Sequence, residues 1–347
     1  MEYFKKHPFY KEDLRNIFSV NNIDALKGKS FLITGATGMV GVMLIDTLML
    51  LGNVTVYAVG RNKEKAKGRL GEYFSCDNFS FIEQDVMLPF SSDLSVDYII
   101  PLASNTHPLA YSNYPVETML INIEGAKNAL ELASKCGAIV LYPSSVEIYG
   151  NSVDDNAFVE DSNGKLNLSN SRACYTESKR ACEALCQSFR AEKNVNVKIA
   201  RLSRLFGPTM LLSDSKASSQ FILKAINSED VILKSEGNQY FSYCYVADAV
   251  AALLYVLLHG KSGESYNISS QKTNVHLKDF ANYCAMYNGK SVKFDLPSER
   301  EKKGYSIASS AILDNKKLLE LGFVPKYEMK GAIERTIIIL KKCAEYL

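Results

Sequence analysis

Thr34-Gly35-Ala36-Thr37-Gly38-Met39-Val40-Gly41 decides how this chain is read. The run before it, KSFLIT (29–34), is short and apolar, as a buried strand is. The run that opens from it, GMVGVMLIDTLMLLG (38–52), is long enough for a helix. Three glycines alone are weak evidence, because glycines punctuate many turns. Between a strand and a helix they acquire a mechanism. Gly35 permits the tight turn, Gly38 lets the backbone approach a pyrophosphate, and Gly41 lets helix and strand pack closely. The helix N-terminus, with Thr37, Met39 and Val40 around it, offers free N–H groups and a positive dipole end to the phosphates. The stretch predicts a dinucleotide site.

Outward from that turn, strand-like and helix-like runs alternate. NVTVYAVG (53–60), NFSFIEQDV (78–86), VDYIIPLAS (96–104), AIVLYPSS (138–145) and VNVKIARL (195–202) read as strands. Residues 62–74, 116–136 and 173–193 read as helices. Strands that are apolar throughout and joined by helices indicate a parallel sheet covered on both faces. The expected fold is α/β: a Rossmann doubly wound parallel sheet with a smaller mixed α/β substrate lobe at the C-terminal end. We place a helical extension over 1–28, with an amphipathic helix at 11–27, and the dinucleotide-binding domain over 29–204. Past residue 205 the alternation loosens, and 205–347 is expected to be mostly substrate lobe. Helices are expected at 219–227, 248–259 and 278–288, and ESYNISS (264–270) as a late strand.

Bulk properties narrow the class. Of the 347 residues, 47% are hydrophobic and 22% charged, the balance of a globular protein. A net charge of +2 gives no broad footprint for nucleic acid or an anionic membrane, so neither is an expected partner. No apolar run reaches the ~18 residues of a membrane span. The opening MEYFKKHPFYKEDLRNIF lacks a signal-peptide core, and a cytoplasmic location is expected. The eight cysteines are scattered without a C-x-x-C pair. Cys182 and Cys186 lie one helical turn apart and read as small core-filling residues rather than a metal pair, so no metal is expected.

An acid about 20 residues beyond the glycine turn would normally grip an adenosine ribose hydroxyl and mark NAD. Here the second strand ends in Gly60-Arg61-Asn62. Arg61 is placed to contact a 2′-phosphate, which leans toward NADP. It reads equally as a solvated charge at a helix entry, so the cofactor is NAD or NADP.

The redox centre follows. Tyr175 and Lys179 are four apart in ACYTESKRACEALCQSF and project from one helix face. A tyrosine with a pKa near ~10 is a poor base at neutral pH. A neighbouring lysine ammonium favours the phenolate and can also hold nicotinamide ribose hydroxyls. Ser145, at the end of the fifth strand, can hydrogen-bond the same substrate oxygen, on the side of the sheet where ligands bind. Tyr-x-x-x-Lys alone is a common surface pair. Its place after the glycine motif and a Ser-ended strand makes it catalytic.

With those residues the chain resembles the extended short-chain dehydrogenase/reductase superfamily, in its nucleotide-sugar epimerase/dehydratase branch, over roughly 29–340. The resemblance rests on TGATGMVG, SSVEIYG (144–150), YTESK (175–179), Phe206-Gly207-Pro208, Tyr245-Val246-Ala247-Asp248 and LDNKKLLELGFVP (313–325). It implies that Asp85 and Val86 meet adenine, that Leu102, Ala103, Ser104 and Asn122 lie beside the cofactor, and that Asn105, Thr106 and Arg204 contact substrate. It also implies a tightly held cofactor, oxidation of a sugar hydroxyl, usually at position 4, and a homodimer built on helices 116–136 and 173–193. Glu147 stands where dehydratases and UDP-glucuronate decarboxylases of this branch carry a working glutamate; the plainer reading is a rim carboxylate. Val146 replaces the acid with which dehydratases expel water. An apolar side chain has no proton to give, which disfavours 4,6-dehydration.

Locally, Arg172-Ala173-Cys174-Tyr175 and the stretch through Cys186 are similar to the catalytic helix of UDP-glucuronate decarboxylases. Three positions depart from them. Arg204 stands where an asparagine is usual, Thr209 where an arginine is, and Phe241 replaces an arginine that meets the diphosphate. The expectation is thus a nucleotide-sugar epimerase/dehydratase-type enzyme passing through a transient ketone. The alternatives are a nucleotide-uronate decarboxylase, an NADPH-dependent keto-sugar reductase, and a non-catalytic cofactor sensor.

Overall fold

Runs of fully buried Phe31, Leu32 and Ile33 explain why the first strand is apolar without alternation: both of its faces are covered. The computed structural model describes residues 3–106, 108–151, 156–295 and 310–344. Its strands are β1 (Ser30–Thr34), β2 (Thr55–Gly60), β3 (Phe79–Glu83), β4 (Tyr98–Pro101), β5 (Ile139–Ser145), β6 (Val197–Leu202), β7 (Arg204–Phe206), β8 (Val231–Leu233), β9 (Tyr240–Tyr245), β10 (Ser265–Ile268), β11 (Asn274–His276), β12 (Val292–Phe294) and β13 (Ser310–Ala311). Seven of them make one sheet in the order β3-β2-β1-β4-β5-β6-β10, with every pairing parallel. The chain leaves β1 toward β2 on one side and returns to β4 on the other. That reversal opens a crevice beyond the C-terminal ends of β1 and β4, the place where ligands bind in such sheets.

The helices are α1 (Tyr3–Lys6), α2 (Pro8–Ile17), α3 (Met39–Leu51), α4 (Lys63–Leu70), α5 (Pro108–Asn113), α6 (Pro115–Cys136), α7 (Ala173–Lys193), α8 (Ala217–Ile226), α9 (Val246–His259), α10 (Leu277–Met286), α11 (Lys316–Leu321) and α12 (Met329–Ala344). Of these, α6 and α7 pack along each other. Among the described residues no helix is long and apolar enough to cross a membrane.

Differences from the sequence reading have local causes. The helix expected at 11–27 starts earlier, because Pro8 occupies a first-turn position behind the His7 cap, and stops at Ile17 before a short 3-10 turn at Ile23–Leu26. Neither β9 nor α12 was expected. Five of the six residues of β9 are buried, so it lacks the alternation that marks a half-exposed strand. It pairs with β7, β11 and β13 in a second sheet.

The N-terminal helices are bound to the rest through buried carboxylates. Asp46, on α3, accepts hydrogen bonds from Lys5 Nζ at 2.7 Å, the Tyr10 hydroxyl at 2.5 Å and the Tyr73 hydroxyl at 3.0 Å. Asp13, on α2, accepts from the hydroxyls of Tyr245 at 2.6 Å and Tyr327 at 2.7 Å and from Arg335 at 2.6 Å. Burial pushes both carboxyls up, against the pull of these partners.

Candidate active site

The glycine turn is pressed so closely against its surroundings that two of its positions admit no side chain. Gly35 has φ +63, and a Cβ there would lie 2.7 Å from Ala103 N and from Leu102 C. A Cβ on Gly41 would lie 2.6 Å from Gly35 O and 2.9 Å from Ala36 Cα, so α3 could not rest on the turn. At Gly38 the nearest atom would be Gly35 O at 3.1 Å. Gly38 caps α3 with no side chain to bond the first-turn amides, which suits an anionic ligand. Thr37, Met39 and Val40 are half-buried around that helix start. The cradle therefore fits a dinucleotide pyrophosphate. Thr34 Oγ1 accepts the Ala103 amide at 3.0 Å and ties the end of β4, with Leu102 and Ala103, to the turn.

The flanking residues fall around the same crevice. Arg61 follows β2 and is exposed, with Glu117 Oε1 at 3.1 Å and Asp85 Oδ2 at 4.0 Å. Asp85 also accepts the Met87 amide at 2.9 Å. Val86 packs toward Gly125 of α6, where an added Cβ would meet Val86 Cγ2 at 3.2 Å. Ser104 donates to the Asn105 carbonyl at 3.1 Å, and Asn105 donates to Thr118 Oγ1 at 3.2 Å; Thr106 is exposed. Asn122 is buried and donates to Ser178 Oγ at 2.9 Å, joining α6 to α7, while its Oδ1 has no partner among the described residues.

Strand β5 and helix α7 bring the proposed redox residues together. Ser145, the last residue of β5, accepts the Glu147 amide at 3.2 Å and so begins a one-turn 3-10 helix at Val146–Tyr149. Tyr175 and Lys179 lie one turn apart on α7 and are 7% and 5% exposed. Desolvation pushes the Tyr175 phenol up to about 12; a hydrogen bond with Ser145 opposes this and the Glu147 charge adds to it. The three groups therefore sense one another. Lys179 Nζ donates to the Pro143 carbonyl at 2.8 Å and sits 4.9 Å from the centre of the Tyr142 ring; burial lowers its pKa.

Here the structure modifies the sequence argument. Lys179 was expected to favour the phenolate; one donor of its ammonium goes to the β5 backbone, and at Tyr175 burial is the largest influence. A further contact had no signal in the sequence. Tyr111 stacks on Tyr175 with ring centres 4.8 Å apart and planes at 22°, which fixes the phenol's plane. Cys182 and Cys186 are fully buried behind Lys179, as core-filling residues are.

Two of the three sequence departures touch each other. The Arg204 guanidinium lies 3.7 Å over the Phe241 ring, and Arg204 Nη2 is 3.5 Å from Glu147 Oε1. Thr209 differs. It is fully buried and its hydroxyl donates to the Met39 carbonyl at 2.8 Å, so it braces the glycine turn.

The comparisons with known proteins agree with this geometry. The profile of the NAD dependent epimerase/dehydratase family matches residues 31–269, which takes in the glycine turn, the Ser145 strand end and α7. The chain belongs to that family. Among relatives, UDP-glucuronic acid decarboxylase 1 of Xenopus tropicalis is 30% identical over 92% of this chain and 73% of its own length. UDP-glucuronic acid decarboxylase 2 of Arabidopsis thaliana is 34% identical over 70% of this chain, which spans about half of that relative, 54%. Solved structures share the fold of the family. The UDP-glucuronic acid 4-epimerase of Bacillus cereus superposes with a TM-score of 0.78 at 19% identity, over 90% of this chain and 99% of its own. The UDP-glucose 4-epimerase of Thermotoga maritima gives 0.77 at 20% identity, over 91% of this chain and 99% of its own. Family members are enzymes that depend on a nicotinamide dinucleotide.

Proposed function

We propose that this chain oxidises a hydroxyl of a nucleotide-linked sugar, at position 4, to a transient ketone, and later returns the hydride. The observation that carries the reading is the convergence of Ser145, Tyr175 and Lys179 at the sheet's C-terminal edge, beside a cradle with no room for side chains at Gly35 and Gly41. The dinucleotide supplies the hydride acceptor. Tyr175 Oη takes the hydroxyl proton, Ser145 hydrogen-bonds the same oxygen, and Lys179 holds the catalytic end of α7 to β5. Because burial holds the unliganded phenol near 12, it becomes an effective base only as cation and substrate complete the site. A 2′-phosphate beside Arg61 would also meet Asp85 and Glu117, which favours NAD over NADP. The test is Tyr175→Phe: turnover falls ~10²–10⁴-fold while NAD+ binding stays within about twofold. Undiminished turnover in that variant would remove the phenol from the mechanism.

A second reading is favoured by one observation, the Glu147–Arg204 pair at the edge of the redox centre. A carboxylate at position 5 of a uronic acid lies next to the carbon oxidised in this scheme, and a ketone there weakens its bond to the ring. UDP-glucuronate, with loss of carbon dioxide, is accordingly the first substrate we propose, in keeping with the names of the relatives. Glu147 is then the group that handles the proton as the ring carbon is reprotonated. We also propose a homodimer through α6 and α7. The exposure of Val116 and Leu120 on α6 supports it, and a monomeric mass at micromolar concentration would contradict it.

A further inference from the structure

Two arginines three residues apart are treated in opposite ways by the fold. Arg201, on β6, spends its donors inside the protein: Nη2 meets Glu183 Oε2 at 2.7 Å, Nε meets Glu183 Oε1 at 3.0 Å, and Nη1 meets the Tyr149 hydroxyl at 2.9 Å. Among the described residues Arg204, on β7, has one hydrogen-bond contact, of Nη2 with Glu147 at 3.5 Å, at the limit of a hydrogen bond. Its Nη1 is buried and finds no partner among the described residues. A guanidinium is a rigid fork of donors, and a buried one left unsatisfied is costly unless something accepts from it.

The fork is nevertheless held in place. Arg204 pairs with Tyr243 across β7 and β9, and Phe241 lies two residues before Tyr243, hence on the same face of β9. The Phe241 ring lies under the guanidinium and fixes its plane without accepting any of its N–H groups. Arg204 also meets Glu147, whose charge reaches the Tyr175 phenol. The guanidinium, its side chain 24% exposed, thus lies one side chain away from Tyr175.

We propose that Arg204, plated on Phe241, is the receptor for an oxyanion of the substrate and sets the enzyme's selectivity for it. The proposal rests on the nucleotide-sugar reading above. A planar fork matches a carboxylate or a phosphate with two parallel hydrogen bonds, and either can reach it: a carboxylate on the sugar ring or the phosphate joined to the sugar. Ligand binding at the accessible edge of the guanidinium would then draw Nη2 away from its long contact with Glu147, leaving that carboxylate free to act.

The test is calorimetric titration of UDP-glucuronate, UDP-glucose and UDP into the NAD+-loaded protein, for the wild type, Arg204→Gln and Phe241→Leu. A sugar carboxylate as the oxyanion predicts that Arg204→Gln weakens UDP-glucuronate ten- to hundredfold and leaves the other two within twofold. A phosphate as the oxyanion predicts that all three weaken alike. Phe241→Leu keeps the charge and loses the plate, and is expected to show the same pattern with a smaller loss. NAD+ affinity and melting temperature, read in each variant, separate these effects from misfolding. If the wild type binds the ligands and both variants bind them equally well, the receptor is overturned while the nucleotide-sugar reading stands. If the wild type binds none of the three, that reading fails first.

Discussion

The glycine turn and the Arg204–Phe241–Glu147 cluster are built on different principles. At the turn the constraint is backbone against backbone: Gly35 against Leu102 and Ala103, Gly41 against Gly35 and Ala36. In the cluster it is side chain against side chain, with Arg204, Phe241 and Glu147 reaching one another from β7, β9 and the turn after β5. The first kind of constraint permits one residue type at a fixed spacing. The second permits several solutions, and a charge can reach the same place from a neighbouring strand. One side of the site can therefore stay fixed while the other is retuned.

Breaking the support of the rigid side should have the largest effect. Asp46→Ala removes the acceptor that holds Lys5, Tyr10 and Tyr73 to α3, leaves the buried Tyr10 hydroxyl without it and Lys5 with Glu72 alone; the three lost bonds are expected to cost ~3–5 kcal/mol by denaturant unfolding. An undiminished midpoint would show that the N-terminal helices do not brace the cofactor side.

Beside the same N-terminal helices, Asp248 on α9 accepts the amides of Lys326 and Tyr327, each at 3.0 Å, and burial raises its carboxyl to about 6. Its folded pKa lies above its unfolded value. Its contribution to stability is therefore fullest below about pH 4 and falls as pH rises through about 6, by up to ~3 kcal/mol. As pH rises from about 4 to 6, wild type should lose stability relative to Asp248→Asn, whose amide does not titrate; a constant gap between their melting curves would refute the assignment.

Gly41→Val then probes the turn directly. Its branched side chain has only backbone to push against, and we expect ~1–3 kcal/mol of destabilisation with at least a tenfold loss of NAD+ affinity. The smallest effect belongs to Arg61→Ala. An exposed arginine already paired to Glu117 should change NAD+ affinity by less than ~1 kcal/mol. A large loss confined to NADP+ would instead restore the phosphate role suggested by its position in the sequence.

The same contrast explains what the sequence disclosed. The sheet, the cradle and the Ser145–Tyr175–Lys179 cluster were legible because strand periodicity, glycine spacing and a four-residue helical step translate directly into geometry. Strand β9 was not, because a strand buried on both faces carries no alternation. The stacking of Tyr111 on Tyr175 and of Arg204 on Phe241 joins residues far apart in sequence, and no local pattern encodes such meetings. Lys179 was legible only as the residue one helical turn from Tyr175; that its ammonium donates to the Pro143 carbonyl required coordinates.

The central claim is a reversible oxidation at one sugar carbon, and isotope transfer tests it most directly. UDP-glucuronate carrying deuterium at C4 would be incubated with the protein and NAD+, and sugar and cofactor analysed by mass spectrometry. The account predicts deuterium on the cofactor when a single turnover is quenched before the ketone is reduced, and its return to C4 in the finished product; a product lighter by carbon dioxide would identify the decarboxylation. No deuterium on the cofactor at any time, with the substrate unchanged and Tyr175→Phe indistinguishable from wild type, would contradict it.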